Sequence, residues 1–225
     1  MERFAGVEKS QASFREARMT LPKRAAALMF LLVGAVSLGG GGYIQAKAWL
    51  AQILLEQAWR DTLAARAFSG EDAVTHKPWP WADTYPVGLM EAPRLAARWV
   101  VLEGASGRNL AFGPAHMEAS AVVGEPGMAV VSGHRDTHFL ALRELREGDV
   151  VRWQTPAGHW LEFNVTGAQV VNAEEVMLAL PGADSASSAM PPQLVLTTCY
   201  PFDGPVGGPL RKLFYLEPSP QTVAL

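Results

Sequence analysis

The chain has 225 residues, 49% of them apolar and 18% charged, with a net charge of −3 and a single cysteine. A sequence this long and this apolar can bury a sizeable core, which excludes a disordered chain and a small disulfide scaffold. The balance of charge is not basic, so the electrostatic footprint of a nucleic-acid binder is missing and no nucleic-acid partner is expected.

Charge is concentrated at the N-terminal end. Residues 1–24 hold six basic side chains, Arg3, Lys9, Arg15, Arg18, Lys23 and Arg24, against Glu2, Glu8 and Glu16, while the other 201 residues carry −6. Ala25–Ala46 then runs without a charge. At about 1.5 Å per residue the stretch to Ile44 reaches roughly 30 Å as a helix, the thickness of a bilayer's hydrocarbon core. The expectation is a cytoplasmic basic tail over 1–24 and one transmembrane helix over 25–46. A cleaved secretory signal competes, with Ala46-Lys47-Ala48 as a small-x-small site. Its apolar core is ordinarily only about 7–15 residues long, which favours the uncleaved anchor. The glycines at 39–42 weaken the helix. Under either reading the basic end stays in the cytoplasm and the rest is exported.

Residues 47–85 are expected to be a membrane-proximal helix followed by a linker. Over Lys47–Phe68, Trp49, Ile53, Gln57 and Arg60 share one helical stripe, with Leu50, Leu54 and Ala58 beside it. A helix leading outward from the membrane and a helix packed on the domain fit this pattern equally well. Ser69–Tyr85 carries Pro78, Pro80 and three aromatic residues, which excludes regular helix and suggests an extended linker lying on the domain through its tryptophans.

From Pro86 to the end the chain reads as one mainly β domain. Leu95–Glu103, Met128–Ser132, Asp149–Gln154, Trp160–Val171 and Gln193–Thr198 are strand-like by alternation or β-branched content, and Thr155–Gly158 is a turn between two of them. Phe139–Leu145 is a short helix candidate. Many short strands within about 130 residues point to a single barrel or sandwich.

Three segments carry chemistry. Leu194–Thr198 runs as a strand into Cys199 and stops at Pro201, so period two places Val195, Thr197 and Cys199 on one face and the thiol at a strand mouth. Buried cysteines often act only as small hydrophobes. After a Gly/Pro-rich loop, Arg211 opens the next apolar run, Lys212–Leu216; if the two runs pair as a hairpin, Cys199 and Arg211 stand opposite each other. The third segment, Ser132-Gly133-His134-Arg135-Asp136, ends another strand-like run, with a glycine that lets the backbone turn and present the imidazole. His76, His116, His138 and His159 read as solvated or satisfied histidines without a role. His134 and His138 have the spacing of a helical metal pair, but no third clear ligand lies between them, so no metal is expected.

These segments, VVSGHRDTHF, LTTCYPFD and GGPLRKLFYLE, strongly resemble the sortases, membrane-anchored cysteine transpeptidases, and KPWPWADT, LAFGPAH and CYPFD resemble the group from Gram-negative proteobacteria. Val195 departs from the pattern, standing where many sortases carry Thr. The resemblance implies the family's eight-stranded β-barrel over 86–225, with short helices, preceded by the N-terminal transmembrane helix. It implies Cys199 as nucleophile, His134 as general acid/base, Arg211 as the group that positions substrate and steadies the oxyanion, and Thr198 as shaping the substrate groove. Arg135 is a rival for the oxyanion role. The implied partners are a secreted protein with an LPXTG-like C-terminal sorting signal, an amine acceptor and the inner membrane, crossed once with the catalytic domain periplasmic. No cofactor is required by this chemistry. The three side chains suit amide cleavage, which needs a nucleophile, a proton donor for the departing amine and a charge facing the oxyanion. A cysteine peptidase with the same residues, releasing its product to water, and a non-catalytic tethered peptide-binding module are the alternatives. The domain from about Ser69 onward is expected to be soluble and active by itself.

Overall fold

The computed structural model describes residues 21–69, 75–175, 190–205 and 207–220. The chain divides into two compact units, residues 1–47 and 48–225. A long helix, α1, spans Leu21–Ser69. In the first unit, residues 1–20 of the expected cytoplasmic tail and most side chains of Ala25–Ala46 lie outside the described residues. Leu28, Met29, Phe30, Leu31 and Tyr43, which are described, are exposed. Among the described residues no helix is long and apolar enough to cross a membrane.

The second unit is a closed β-barrel of eight strands: β1 (Pro86–Ala92), β2 (Ala97–Glu103), β3 (Ala115–His116), β4 (Gly127–Ser132), β5 (Val150–Gln154), β6 (Trp160–Asn172), β7 (Pro192–Cys199) and β8 (Leu210–Pro218). Their order around the barrel is β1-β2-β3-β4-β7-β8-β6-β5, with β2–β3 and β4–β7 parallel and the other neighbours antiparallel. This is the mainly β barrel expected from the sequence. Alternate residues fill its interior: Met90 and Ala92, Trp99 and Val101, Ala129 and Val131, Val151 and Trp153, Leu194 and Leu196, Phe214 and Leu216. The turn at Thr155–Gly158 joins β5 to β6, closed by Gly158 N–H on the Thr155 carbonyl at 2.8 Å, with Gly158 at φ 85°.

Several elements differ from the sequence reading. The strand expected from Leu95 begins at Ala97, because Pro93 opens a 3₁₀ turn (Pro93–Leu95) that ends on Ala96 at φ 48°. β1, with its Pro, Gly and Ala, has no clear strand signal in the sequence, yet it pairs with both β2 and β5 and so closes the barrel. Its Gly88 is required by close approach, since a Cβ there would lie 2.1 Å from the Trp153 ring. The helix candidate at Phe139–Leu145 is a 3₁₀ helix over Leu140–Glu144.

The C-terminal part of α1 packs on the barrel, but not through the stripe read from the sequence. Trp49, Leu50 and Ile53 are exposed, whereas Ala51, Leu55, Ala58, Trp59 and Thr62 are buried. The small Ala51 and Ala58 let the helix approach closely, and Leu55 and Trp59 cover Leu89, Val100 and Leu102 on the outer face of β1 and β2. Those two strands are therefore apolar on both faces, which explains why the second reads as a continuous apolar run. Of the expected linker, Trp79 does lie on the domain, edge to face with Phe112 at 5.1 Å, while Trp81 points to solvent at 82% exposure.

Candidate active site at the mouths of β4, β7 and β8

β7 and β8 pair with Thr197 opposite Leu213 and Cys199 opposite Arg211, so the hairpin inferred conditionally from the sequence forms and its last rung carries the thiol and the guanidinium. Cys199 is free and half-buried. It lies on the same strand face as Thr197 and Val195, outside the barrel interior that Leu194 and Leu196 fill. On that outer face Val195 joins Val130 and Leu213 in an apolar cluster flanked by Met117, Met128, Val171 and Tyr215. Arg211 anchors its own fork: one terminal nitrogen donates to the carbonyls of Gly208 at 2.7 Å and Leu210 at 2.9 Å. An arginine has five N–H donors, and its other two nitrogens have no protein partner among the described residues.

β4 lies beside β7 on the other side, in parallel register, with Ser132 opposite Thr197. The ladder continues one residue past the strand, because Gly133 N–H donates to the Thr197 carbonyl at 3.1 Å. The Thr198 hydroxyl then donates to the Gly133 carbonyl at 2.7 Å. His134 follows at once, partly exposed, its own carbonyl accepting from Phe139 N–H at 2.9 Å. The glycine before it does not have a positive φ. It is needed because a Cβ would sit 2.6 Å from Cδ2 of Phe139, a fully buried ring.

The structure thus brings Cys199, His134 and Arg211 to one end of three neighbouring strands. Thr198 is placed differently from the groove-shaping role expected of it. At 2% exposure it faces inward, and its hydroxyl is committed to the histidine turn. Arg135 is also buried, at 6%, and both its terminal nitrogens are spent on backbone: they donate to the carbonyls of Pro201, Gly204 at 2.7 Å and Pro205 at 2.6 Å. A guanidinium held inside a loop in this way is not available to an oxyanion, which removes it as a rival to Arg211.

The other histidines separate by environment. His138 is pushed below the ordinary imidazole range by burial, partly offset by a backbone hydrogen bond to Ala111 and reinforced by the nearby charge of His134. His116 is buried on β3 between the Glu103 carboxylate at 3.1 Å and the Ala121 carbonyl at 2.9 Å. Burial is the largest single influence on it and opposes its charge, but these two partners and the field of Glu118 together raise it above the ordinary range. Among the described residues no three His, Cys, Asp or Glu side chains converge as metal ligands. A cavity of about 630 Å³ bordered by Trp99, Thr137, His138 and Arg143 adjoins the histidine turn but is not lined by Cys199 or Arg211.

The Sortase domain family matches residues 90–219, more than half of the chain. Sortase D of Bacillus subtilis (strain 168) is 30% identical over 128 residues, covering 57% of this chain, and the match spans 61% of that protein's length. Among solved structures, the Clostridium perfringens Sortase D5 transpeptidase superposes with a TM-score of 0.56 at 16% identity, over 76% of this chain and 98% of its own. Sortase A from Corynebacterium diphtheriae gives 0.52 at 21% identity over 78% and 88% of the two chains, and Listeria monocytogenes sortase A gives 0.50 at 22% over 60% and 87%. At such identities the structural likeness is one of fold. With the domain matched across most of the barrel and the same architecture shared by these structures, the chain belongs to the sortase family.

Proposed function

We propose that this chain is a cysteine transpeptidase that cleaves an LPXTG-like sorting signal on a secreted protein and passes the acyl group to an amine. The observation that carries the reading is the in-register opposition of Cys199 and Arg211 at the mouth of a hairpin whose neighbouring strand ends in His134. In this mechanism the Cys199 thiolate attacks the threonine carbonyl carbon, forming a C–S bond and an oxyanion that faces the free part of the Arg211 fork. His134 gives its proton to the amide nitrogen as the C–N bond breaks, leaving a thioester on Cys199. An incoming amine attacks that thioester, loses a proton to His134 and releases the thiolate. Arg suits the oxyanion because its planar fork keeps its charge at any working pH. Thr198 serves by fixing the turn that carries His134.

The uncharged segment 25–46, with Leu28, Met29, Phe30 and Leu31 exposed, supports a single membrane anchor with the barrel exported to the periplasm. Fractionation of the full chain with membranes tests this, and recovery of a mature protein starting near Trp49 contradicts it. The reaction is tested by incubating the enzyme with an LPXTG-like peptide and a primary amine. A peptide–amine conjugate is expected; free acid alone makes the enzyme a hydrolase, and no turnover leaves a tethered binding module.

A further inference from the structure

Resting on that reading, we infer that Arg135 is a positioning residue of the reaction: it locks the turn bearing His134 to the loop that follows Cys199, so that imidazole and thiol keep one fixed separation. The inference starts from where a buried guanidinium spends its donors. Lys and Arg are seldom fully buried, and when they are, their donors must be satisfied. Arg135 places both terminal nitrogens on Pro201, Gly204 and Pro205, three backbone carbonyls of one short segment. That segment is already folded on itself, with Gly204 N–H on the Pro201 carbonyl at 3.2 Å, and Gly204 lies so close to the Pro201 ring that a Cβ would sit 2.7 Å from it.

The placement of the bonds gives them their consequence. The residue before His134, Gly133, accepts from the residue before Cys199, Thr198. The residue after His134, Arg135, donates to Pro201, two residues after Cys199. Each of the two residues assigned to the chemistry is therefore bracketed by a fastening to the other's chain. The loop held by Arg135 also leads to Gly208 and Leu210, whose carbonyls hold the Arg211 fork. The two bonds on Gly133 both lie before the imidazole and would let the histidine turn pivot about the end of β4; a fastening beyond the imidazole stops that rotation. Charged donors to carbonyls are stronger than neutral ones, and the planar fork reaches several acceptors at fixed angles, which an ammonium cannot do.

The test compares R135A and R135K with wild type and with H134A in two assays. The first is cleavage of an LPXTG-like peptide, read as kcat and KM. Displacing a reacting group by about 1 Å costs roughly 10²-fold in rate, so kcat is expected to fall by about that factor in R135A and by at least about tenfold in R135K, with KM changed little. The second is the pH profile of Cys199 alkylation by iodoacetamide, in which the thiolate displaces iodide without any peptide bound. If Arg135 holds His134 beside the thiol, the R135A profile is expected to move onto that of H134A. Loss of thermal stability with a wild-type profile and kcat would mark Arg135 as merely structural and overturn the inference. Should R135A fail to fold, R135K, which keeps length and charge, carries the same two comparisons. The outcomes separate from those of the functional reading. Wild-type enzyme that cleaves no peptide, while its alkylation profile differs from that of H134A and R135A abolishes the difference, defeats the transpeptidase reading and leaves the positioning role standing. Normal cleavage by wild type and both Arg135 variants defeats the positioning role alone.

Discussion

Gly133→Ala probes how tightly the histidine turn is held, with the smallest possible side chain. The added Cβ would lie 2.6, 2.7 and 2.9 Å from Cδ2, Cγ and Cε2 of Phe139. Carbon atoms in contact ordinarily sit about 3.5–4.0 Å apart, so roughly 1 Å must be found. Phe139 cannot give it freely, being fully buried and edge to face with Trp99 at 5.7 Å. The backbone cannot give it freely either, because Gly133 is bonded through both its N–H and its carbonyl, to Thr197 and Thr198. Overpacking of this kind costs about 1–3 kcal/mol, and for a domain of this size each kcal/mol lowers Tm by about 2–4 °C. If the turn takes up the shift, His134 moves with it and peptide cleavage falls by about 10²-fold. The assay is thermal melting with kcat/KM on the same preparations, repeated on an F139A background. Replacing Phe139 by alanine removes Cγ, Cδ2 and Cε2 together, so G133A is expected to cost much less stability and activity there than in wild type, although F139A alone melts lower, a coupling of about 0.5–3 kcal/mol. Wild-type Tm and kcat/KM in G133A would show that the histidine turn is not held tightly.

Arg211→Lys, opposite Cys199 on the last rung of the hairpin, keeps the charge but loses the two guanidinium nitrogens left over once the third has bonded Gly208 and Leu210; kcat is expected to fall by about 10²-fold or more, the order lost with one oxyanion donor, and near-normal turnover would move the role elsewhere. His116 is raised above its ordinary value in the folded chain, so the stability it contributes is complete below about pH 6.5 and is lost as pH rises through the folded value. Urea melts of wild type from about pH 5.5 to 9 should show that decline and H116Q should not; parallel curves would contradict it. Removing residues 1–47 should leave a folded barrel, whereas removal up to Ser69 strips Leu55 and Trp59 from β1 and β2 and is expected to lower Tm by more than about 10 °C, since each large apolar side chain lost costs about 2–5 kcal/mol. Equal melting temperatures for the two truncations would restore the expectation of a self-sufficient domain beginning near Ser69.

The strands legible in the sequence are those whose apolar pattern or turn is local: β2, β4, β5, β6 and β7, the Thr155–Gly158 turn, and the facing of Cys199 and Arg211 once the hairpin is assumed. β3 has two residues, too few for any period to show. β1 was hidden because its glycine exists to accommodate Trp153, 65 positions along the chain, and no local signal records such an approach. The buried stripe of α1 was missed for a related reason: Trp49, Leu50 and Ile53 outrank Ala51 and Ala58 in apolarity, but the smaller residues permit the closer approach. At the site, residue types revealed the chemistry while fastenings stayed invisible. Thr198 looks like a groove residue and Arg135 like a free cation beside a histidine; only the fold shows the first turned inward to Gly133 and the second spent on carbonyls 66 to 70 residues away.

The central claim is that Cys199 becomes acylated, and intact-protein mass spectrometry tests it most directly. The barrel with α1 residues 48–69 retained is mixed with an LPXTG-like peptide and quenched in acid. An adduct of the mass of the peptide up to its threonine is expected, mapped to Cys199 and discharged by hydroxylamine as the hydroxamate because a strong amine nucleophile outcompetes water for a thioester. The adduct should be absent from C199A, which changes only one sulfur at a strand mouth and should melt like wild type. Peptide cleavage that persists in folded C199A, or no adduct across a panel of such peptides with Cys199 shown to be reduced, would contradict it.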